Sequence, residues 1–411
     1  MNRVAVRPPV LTLFCNLAAA PGRWLNQLRR MDLPAICRQT IVYPTRGCYR
    51  FSQMAKRKQD QSQAGGRVSL KTLAAYLNLD PTTISVVLNE VPGRSIPEAT
   101  RERIRKAALK FNYQPSFLAR SLRNRRTMTV GILVPVLADG YHAEVMTGIG
   151  DRLLEEKYFY FIAHHRHRPD LIEQYPRMLI SRGAEGLIAI DTNLVENLSL
   201  PVVAIAGHRR LPGVTNVVLD HHRAAELSLR HLYDLGHRTI AFMRGQTYSS
   251  DSEVRWQGIV QVAQDLGLSI RSEMTIQLEK DLTSPELGYP VVKQLLDHHR
   301  SFTAVVSFND VAAIGCIRAL HDSGLRVPQD VSVVGFDDIK EAAFHTPSLT
   351  TIRQPLHQMG ALAVDLLLQQ LRPSGAKAPP EVALEPELII RESTCPSRLT
   401  LKRSGAVKKT K

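Results

Sequence analysis

The chain has few of the features that mark secreted, membrane-spanning or common enzymatic proteins. Its 411 residues include only five cysteines, and none of these forms a CxxC pair or another metal-ligand spacing. This pattern favours free thiols in a reducing compartment over a disulfide framework. No apolar run approaches the roughly 20 residues of a membrane-spanning helix. The sequence also lacks a P-loop, a GxGxxG fingerprint and a nucleophile elbow, which disfavours enzymes built on those motifs.

Positive charge is concentrated near the two ends of the chain, although the net charge of the whole is +15. Residues 1–66 carry 11 Lys or Arg against 2 Asp or Glu, and residues 67–126 carry 12 against 4. Residues 397–411 carry 6 basic residues and no acidic one, so residues 127–396 have a net charge of −8. This asymmetry predicts a head that binds a polyanion, followed by an acidic body.

Residues 69–89 have the pattern of two short helices joined by a tight turn. The first helix is predicted from apolar residues at helical spacing: Leu70, Leu73, Ala74 and Leu77. Asn78 tolerates the left-handed backbone of a turn, Asp80 can cap the second helix, and Pro81 suits its first position. The inward face of that helix is assigned to Ile84, Val87 and Leu88, and its outward face to Thr82, Thr83, Ser85 and Val86.

A third helix is predicted over residues 97–111, closing a small core with Ile104, Ala107, Ala108 and Phe111. Small polar residues at the start of a short helix packed across another helix are typical of a helix-turn-helix that reads the major groove of DNA. A plain helical hairpin is the structural alternative for residues 69–89 taken alone.

Four motifs follow one another along the chain: TTISVVLN (82–89), ATRERI (99–104), YQPSFLARSL (113–122) and TVGILVP (129–135). With these motifs the chain resembles the lactose-repressor-type transcription regulators, the LacI/GalR family, from about residue 68 to about residue 394. The resemblance implies an α/β protein with an N-terminal three-helix helix-turn-helix head and a hinge helix. It also implies a two-lobed, periplasmic-binding-protein-like body of doubly wound parallel sheets.

We expect five segments along the chain. Residues 1–66 form an extension that is disordered or wrongly assigned to the protein, with the true start at Met54. Residues 67–112 form the DNA-binding domain, and residues 113–126 the hinge helix and linker. Residues 127–396 form the two-lobed domain for effector binding and dimerisation. Residues 397–411 form a basic tail without leucine heptads, so no tetramer-forming coiled coil is expected.

The body alternates short β-branched runs with amphipathic segments, which is typical of parallel sheets covered by helices on both faces. Seven strands are predicted, at residues 129–134, 158–163, 186–190, 201–206, 239–243, 303–308 and 331–336. There are too many units for one compact sheet, so two lobes are expected. The implied crossovers between lobes are assigned near residues 220–223, 350–354 and 381–388.

The resemblance assigns DNA contacts in two regions. Pro81, Thr82 and Val86 would face base edges, although Val86 can only pack on a thymine methyl group. Contacts to phosphates suit three residues of the same helix: Thr83, Ser85 and Asn89. In the hinge at residues 116–122, Ala119 and Leu122 would enter the minor groove, where an apolar wedge can kink the duplex.

Effector binding is predicted in the cleft between the lobes, beyond the carboxyl ends of strands. Asp310 follows a predicted strand, and Arg255 lies near the start of a predicted helix; a carboxylate and a guanidinium together suit a polyhydroxylated or purine-like ligand. The alternatives are a helix N-cap for Asp310, and for Arg255 a surface ion pair with Glu253 or Asp251. Five further effector contacts follow from the resemblance: Tyr141, His142, His208, Ser249 and Asp251.

Two other patterns receive structural interpretations. The motif VGFDD at residues 334–338 is interpreted as shaping a lobe near the dimer interface. Three His-His pairs, beginning at His164, His221 and His298, suggest metal binding. Adjacent side chains point apart, however, and no further ligand completes a set in the sequence. We therefore expect solvated or capping histidines and no metal site.

These observations predict a cytoplasmic, homodimeric transcription regulator, most simply a repressor, whose binding to double-stranded operator DNA responds to a small effector. The effector is expected to be a sugar or related metabolite. No enzymatic activity, cofactor or membrane association is expected. The rival hypothesis is a secreted solute-binding protein of a transport system, because residues 1–20 resemble a signal peptide. A groove-reading head argues against that rival, and an enzyme built on the two-lobed body is a third hypothesis.

Overall fold

The computed structural model describes residues 68–91, 93–114, 121, 126–138, 140–194, 198–372 and 379–398. Predictions for residues 1–66, for Ala119 and Leu122, and for most of the basic tail therefore lie outside the described residues. Within the described part of the chain, no helix is both long and apolar enough to cross a membrane.

The head consists of three helices: α1 (Leu70–Leu77), α2 (Pro81–Leu88) and α3 (Glu98–Lys110). Asn78 has the left-handed backbone (φ 52°) that the turn requires, and the Asp80 carboxylate accepts a 2.7 Å hydrogen bond from Thr82 N. Both features were predicted. The predicted core is also confirmed, since three apolar residues, Leu73, Ile84 and Ile104, are fully buried at its centre.

One prediction for the head is wrong. Val86 was assigned to the outward face of α2, but its side chain is only 7% exposed. The chain turns back after the helix, and Val91 N donates a 3.1 Å hydrogen bond to Val86 O. This return brings the following loop next to Val86, which a helical pattern alone does not anticipate.

In the described residues the body contains twelve strands, eight α-helices and two short 3-10 helices, Ser272–Met274 and Pro285–Leu287. The strands are β1 (Thr129–Val134), β2 (Phe159–His164), β3 (Gly186–Ile190), β4 (Val202–Ile205), β5 (Val214–Leu219), β6 (Ile240–Arg244), β7 (Thr275–Gln277), β8 (Ala304–Val306), β9 (Ser332–Asp337), β10 (Thr350–Arg353), β11 (Glu381–Leu384) and β12 (Glu387–Ile389). The helices are α4 (Gly140–Glu155), α5 (Pro169–Ser181), α6 (His221–Asp234), α7 (Ser252–Asp265), α8 (Tyr289–His298), α9 (Asp310–Asp322), α10 (Lys340–Phe344) and α11 (Leu356–Leu371).

These strands form two six-stranded sheets, each the centre of one lobe. The first lobe has the order β11-β5-β4-β3-β1-β2 and is parallel throughout. The second lobe has the order β12-β10-β9-β8-β6-β7 and is parallel except for the β10–β12 pair. In each sheet the order reverses once, between β1 and β3 or between β6 and β8, and such a switch point is where ligands bind in open α/β sheets.

Helices cover both faces of each sheet. In the first lobe α4 and α11 pack on one face, where Ile132, Ile149 and Leu367 are fully buried, and α5 packs on the other. In the second lobe α6 and α7 cover one face, and α8 and α9 the other. The predicted fold class of doubly wound parallel sheets in two lobes is confirmed.

The chain crosses between the two sheets at the three predicted places in its described part. It leaves the first lobe after β5, returns between β10 and α11, and crosses once more between β11 and β12. Each of the seven predicted strands begins within one residue of its expected start. The sequence prediction missed five strands: β5, β7, β10, β11 and β12. Among them β5 is fully buried, but its apolar run is interrupted by Thr215 and Asn216.

Candidate functional site

The first candidate surface is the N-terminal part of α2 in the head. Pro81 and Thr82 are exposed there, and Thr83 is half-buried. The next two predicted contacts are partly engaged with each other, because Asn89 Nδ2 donates to Ser85 O over 2.7 Å and to Ser85 Oγ over 3.2 Å. Pro81 and Thr82 can therefore meet a groove directly, whereas the buried Val86 cannot without movement of the loop behind it.

The second candidate site is a cavity that encloses about 690 Å³ of empty space, part of it open to solvent. Its walls come from segments that follow the carboxyl ends of strands in both lobes. Val136 and Asp191 follow β1 and β3, while Gln246 and Asn309 follow β6 and β8. The cavity thus lies at the switch points of both sheets, where the doubly wound fold predicts ligand binding.

Arg255 is the central cation of this cavity, although its side chain is only 5% exposed. Its Nη2 lies 3.1 Å from Asp251 Oδ2, and its Nη1 donates a 2.6 Å hydrogen bond to Phe308 O. The guanidinium also stacks between two rings, with its Cζ 4.4 Å from the centre of Phe308 and 3.7 Å from that of Phe336. Such a held guanidinium keeps one planar edge in a fixed direction.

The alternative predicted for Arg255 was a surface ion pair with Glu253 or Asp251. The partner is the expected one, but the pair is buried instead of lying on the surface. Asp251 also contacts two histidines, with His208 Nε2 at 2.6 Å and His221 Nε2 at 3.2 Å from its Oδ1. Burial opposes ionisation of Asp251, but its contacts with His221, His208 and Arg255 hold the pKa of its carboxyl well below the ordinary value.

Asp310 does not line the cavity, contrary to the expectation that its carboxylate projects into the cleft. Its side chain is fully buried in the second lobe, where it accepts hydrogen bonds from Thr351 Oγ1 (2.6 Å) and Ile339 N (3.0 Å). The N-cap alternative is wrong as well, because Asn309 caps α9 by accepting from Ala312 N over 2.9 Å. Burial raises the pKa of Asp310 to about 7.

The remaining predicted residues are divided between the cavity and its surroundings. Tyr141, His142 and Ser249 line the cavity together with Arg255 and Asp251. His208 is not part of the lining and lies behind Asp251. The Tyr141 hydroxyl is buried and has no hydrogen-bond partner among the described residues, and burial raises its pKa well above the ordinary value. An unpartnered buried hydroxyl at a cavity wall is a group that a ligand can satisfy.

Several lining residues were missed by the sequence prediction, among them Asp191, Gln246, Tyr248, Asp281 and Asp337. Asp191 directly follows a predicted strand, and Gln246 follows another by a few residues, so the strand-end rule could have found them. Asp281 carries no such signal. Asp337 belongs to the VGFDD motif, which was given a lobe-shaping role. It has a positive φ of 118°, and positive φ at a non-glycine residue is a recurrent feature of functional sites.

Polar contacts across the cavity join the two lobes. Asp191 Oδ1 of the first lobe accepts from Ser250 N (2.8 Å), Ser250 Oγ (2.7 Å) and Ser249 Oγ (3.3 Å) of the second. Asn193 Nδ2 adds a 3.1 Å hydrogen bond to Tyr248 O. A ligand that changes these contacts can alter the relative arrangement of the lobes.

The chain is similar to several known proteins. A family profile described as a periplasmic binding protein-like domain matches residues 229–394. The HTH-type transcriptional repressor PurR of Glaesserella parasuis serovar 5 (strain SH0165) is 30% identical over 338 residues, which cover 79% of this chain and 98% of that protein. The protein of the same name from Haemophilus influenzae (strain ATCC 51907 / DSM 11121 / KW20 / Rd) is 29% identical over 337 residues, with the same coverage.

Two solved structures have a similar fold. The Lac repressor dimer bound to operator and the anti-inducer ONPF has a TM-score of 0.72 and 25% sequence identity, and the similarity covers 80% of this chain and 100% of that one. The complex of the transcriptional regulator CelR with cellobiose has a TM-score of 0.59 and 26% identity, with the same coverage.

Proposed function

Because the chain belongs to the LacI/GalR family of transcription regulators, we propose that it binds an operator as a homodimer and that an effector in the cavity modulates this binding. The chain is a DNA-binding regulator controlled by a small molecule, and the simplest form of that control is repression. The single observation that carries the proposal for this chain is the cavity at the switch points of both sheets, with Arg255 buried in its wall.

The head supports operator binding through its shape and charge. α2 is a short helix whose exposed start, at Pro81 and Thr82, can approach base edges in the major groove. Residues 67–126 carry a net charge of +8, which supplies attraction to phosphates independently of sequence. Thr83, Ser85 and Asn89 are proposed to position the head on the backbone, and Ala119 and Leu122 to enter the minor groove.

The cavity supports an effector rich in hydroxyl groups, such as a sugar or related metabolite. Arg255 offers fixed donors, the carboxylates of Asp191 and Asp337 offer acceptors, and aromatic side chains such as Phe308 offer flat apolar faces. Tyr141, His142, Ser249, Asp251 and Arg255 are proposed as effector contacts. Asp310 and His208 are proposed to act behind them, since neither lines the cavity.

Coupling between effector and operator needs a difference in effector affinity between two arrangements of the lobes. The contacts of Asp191 with Ser249 and Ser250 are proposed as the elements that change. We propose a cytoplasmic regulator without enzymatic activity, in which the hinge segments of two protomers meet on the operator.

Selection of operator sequences from random duplexes by the full chain tests the DNA-binding half of the proposal. Expected is a palindromic consensus bound by a dimer. A panel of neutral sugars, purines and sugar phosphates is then screened for a raised melting temperature and for altered operator affinity. The proposal is contradicted if the selection enriches no DNA sequence, or if the protein binds the selected DNA as a monomer.

A further inference from the structure

Two histidines and one carboxylate from distant parts of the sequence meet beside the cavity. His208 lies in the loop after β4, His221 begins α6, and Asp251 directly precedes α7. One ligand atom from each residue lies within 4.8 Å of the other two. Within this group, His208 Nε2 is 2.6 Å and His221 Nε2 is 3.2 Å from Asp251 Oδ1. We refer to these three residues as the His-His-Asp cluster.

His221 lacks the partners that a buried imidazole normally has. The residue is only 3% exposed, and neither ring nitrogen makes a hydrogen bond of acceptable geometry with the described residues. Its approach to Asp251 is close enough for an ion pair but poorly directed for a hydrogen bond. A buried imidazole whose ring nitrogens have no hydrogen-bond partner among the described residues has a nitrogen available to a ligand. Neutral imidazole is the form that binds metal ions.

The charge of the adjacent cavity also favours a cation. Four carboxylates line the cavity, from Asp191, Asp251, Asp281 and Asp337, whereas Arg255 is the one Lys or Arg side chain among the described lining residues. Arg255 binds Oδ2 of Asp251 and leaves Oδ1 directed to the two histidines. A carboxylate that binds a metal through one oxygen and accepts a hydrogen bond on the other is a common arrangement in metalloproteins.

We propose that His208, His221 and Asp251 bind one divalent transition-metal ion of the zinc type beside the effector cavity. Two imidazoles and one carboxylate form a ligand set that zinc accepts, with a fourth position left for water or a ligand group. With zinc–ligand distances of about 2.0–2.2 Å, a tetrahedral ion holds its ligand atoms roughly 3.4 Å apart. The 3.2 Å pair already fits this spacing, and the 2.6 Å pair must open by less than an ångström when the bridging proton leaves. The ligand atoms of the two histidines lie within 4.8 Å of each other and must reach the same spacing when the ion binds.

The ion would join the two lobes. His208 belongs to the first lobe, whereas His221 and Asp251 belong to the second. All three ligands can bind together only in an arrangement that keeps the lobes this close, so the ion stabilises that arrangement over more open ones. The metal is therefore a second regulatory ligand, in addition to the organic effector.

The test uses the full chain after treatment with a chelator and its removal. Zn²⁺ binding is measured by calorimetry, and Co²⁺ binding by the visible absorption that a tetrahedral site produces. We expect one ion per chain, a melting temperature raised by Zn²⁺, and a loss of affinity of at least tenfold in His208→Ala and in His221→Asn. The His208 side chain is 17% exposed, against 2% for His221, so the first variant is expected to disturb the fold less.

The matched control is His222→Ala, which removes the exposed histidine adjacent to His221 on the same helix. It is expected to bind metal like the unaltered chain. The proposal is overturned if no saturable binding of one ion per chain occurs, if His208→Ala binds with unchanged affinity, or if the control loses the ion. None of these readouts uses DNA, so a failure to bind an operator would leave the metal result standing.

Discussion

The hydroxyl of Thr351 donates a 2.6 Å hydrogen bond to the carboxyl of Asp310, which ties the start of α9 to strand β10. Three residues after Thr351 the chain leaves the second lobe for α11 of the first. The pair therefore lies next to one of the crossovers that connect the two lobes. Ile339 N donates to the other carboxyl oxygen of Asp310, so the side chain links three segments of one lobe.

This relationship predicts a loss of stability in variants of either residue. Asp310→Ala should lower the free energy of unfolding by about 1–3 kcal/mol, since two buried donors lose their acceptor. Thr351→Val should cost less, because it removes one hydrogen bond and keeps the side-chain shape. Urea unfolding of both variants and of the double variant measures the coupling. Strictly additive losses would show that the two side chains do not act together.

The raised pKa of Asp310 predicts a pH dependence with a definite sign. Its folded pKa is about 7, against roughly 3.9 in an unfolded chain. The folded state therefore holds the proton more tightly, and its stability should fall as pH rises from about 4 to about 7 and then level off. Comparison with Asp310→Asn isolates this contribution, because the variant cannot titrate there. A stability difference that stays constant between pH 4.5 and 7.5 would contradict the prediction.

Replacing Arg255 should abolish the effector response and also weaken the second lobe. Arg255→Ala leaves the carboxylate of Asp251 buried without its guanidinium partner, at a cost of about 3–5 kcal/mol. Arg255→Lys keeps the charge but not the planar fork or the stacking between Phe308 and Phe336, so ligand affinity should fall with less loss of stability.

The matched control for Arg255 is Arg318→Ala, which removes an exposed ion pair with Asp322 one turn further along α9. Such surface pairs contribute at most about 1 kcal/mol. Calorimetry measures the effector affinity of each variant, and chemical unfolding measures its stability. Both should fall in the Arg255 variants and change little in Arg318→Ala. If Arg255→Lys binds the effector as tightly as the unaltered chain does, Arg255 is not an effector contact.

The contacts of Asp191 predict how the lobes are held together without ligand. Asp191→Ala removes the acceptor for Ser249 and for the Ser250 amide and hydroxyl, so more open arrangements should become populated. Small-angle X-ray scattering should then show a larger radius of gyration, and effector affinity should fall. Asp265→Ala, an exposed change at the end of α7, serves as the control. An unchanged scattering profile together with unchanged affinity would count against this role.

The basic head predicts a steep salt dependence of operator binding. A dimer that contacts Z phosphates should show a slope of about −0.9Z when the logarithm of the binding constant is plotted against that of the salt concentration. Fluorescence anisotropy over a salt series measures this slope. Thr82→Ala should weaken specific binding by about 1–3 kcal/mol. The slope should change little, because losing a base contact leaves the number of contacted phosphates unchanged. A flat salt series would contradict the DNA-binding role of the head.

Local sequence determined much of the architecture. The turn at Asn78 and the cap at Asp80 follow from the chemistry of single residues, and the buried strands are continuous apolar runs that need no partner to be recognised. The strands that escaped prediction lack such a signal. β5 contains Thr215 and Asn216, β7 and β12 are three residues long, and β10 and β11 are four residues long. The strand conformation of these segments depends on the neighbouring strands that supply the hydrogen bonds.

Only the tertiary structure decided which side chains share a site. Asp310 follows a strand as a cavity carboxylate would, but Thr351 and the Ile339 amide, both distant in sequence, hold it inside the second lobe. His208, His221 and Asp251 are separated by 13 and 30 residues and show no metal-ligand spacing in the sequence. They meet because the loop after β4 in the first lobe lies against the starts of α6 and α7 in the second. Helical and strand periods describe a residue's neighbours along one element. The contacts across elements arise from how the sheets pack, which no local period encodes.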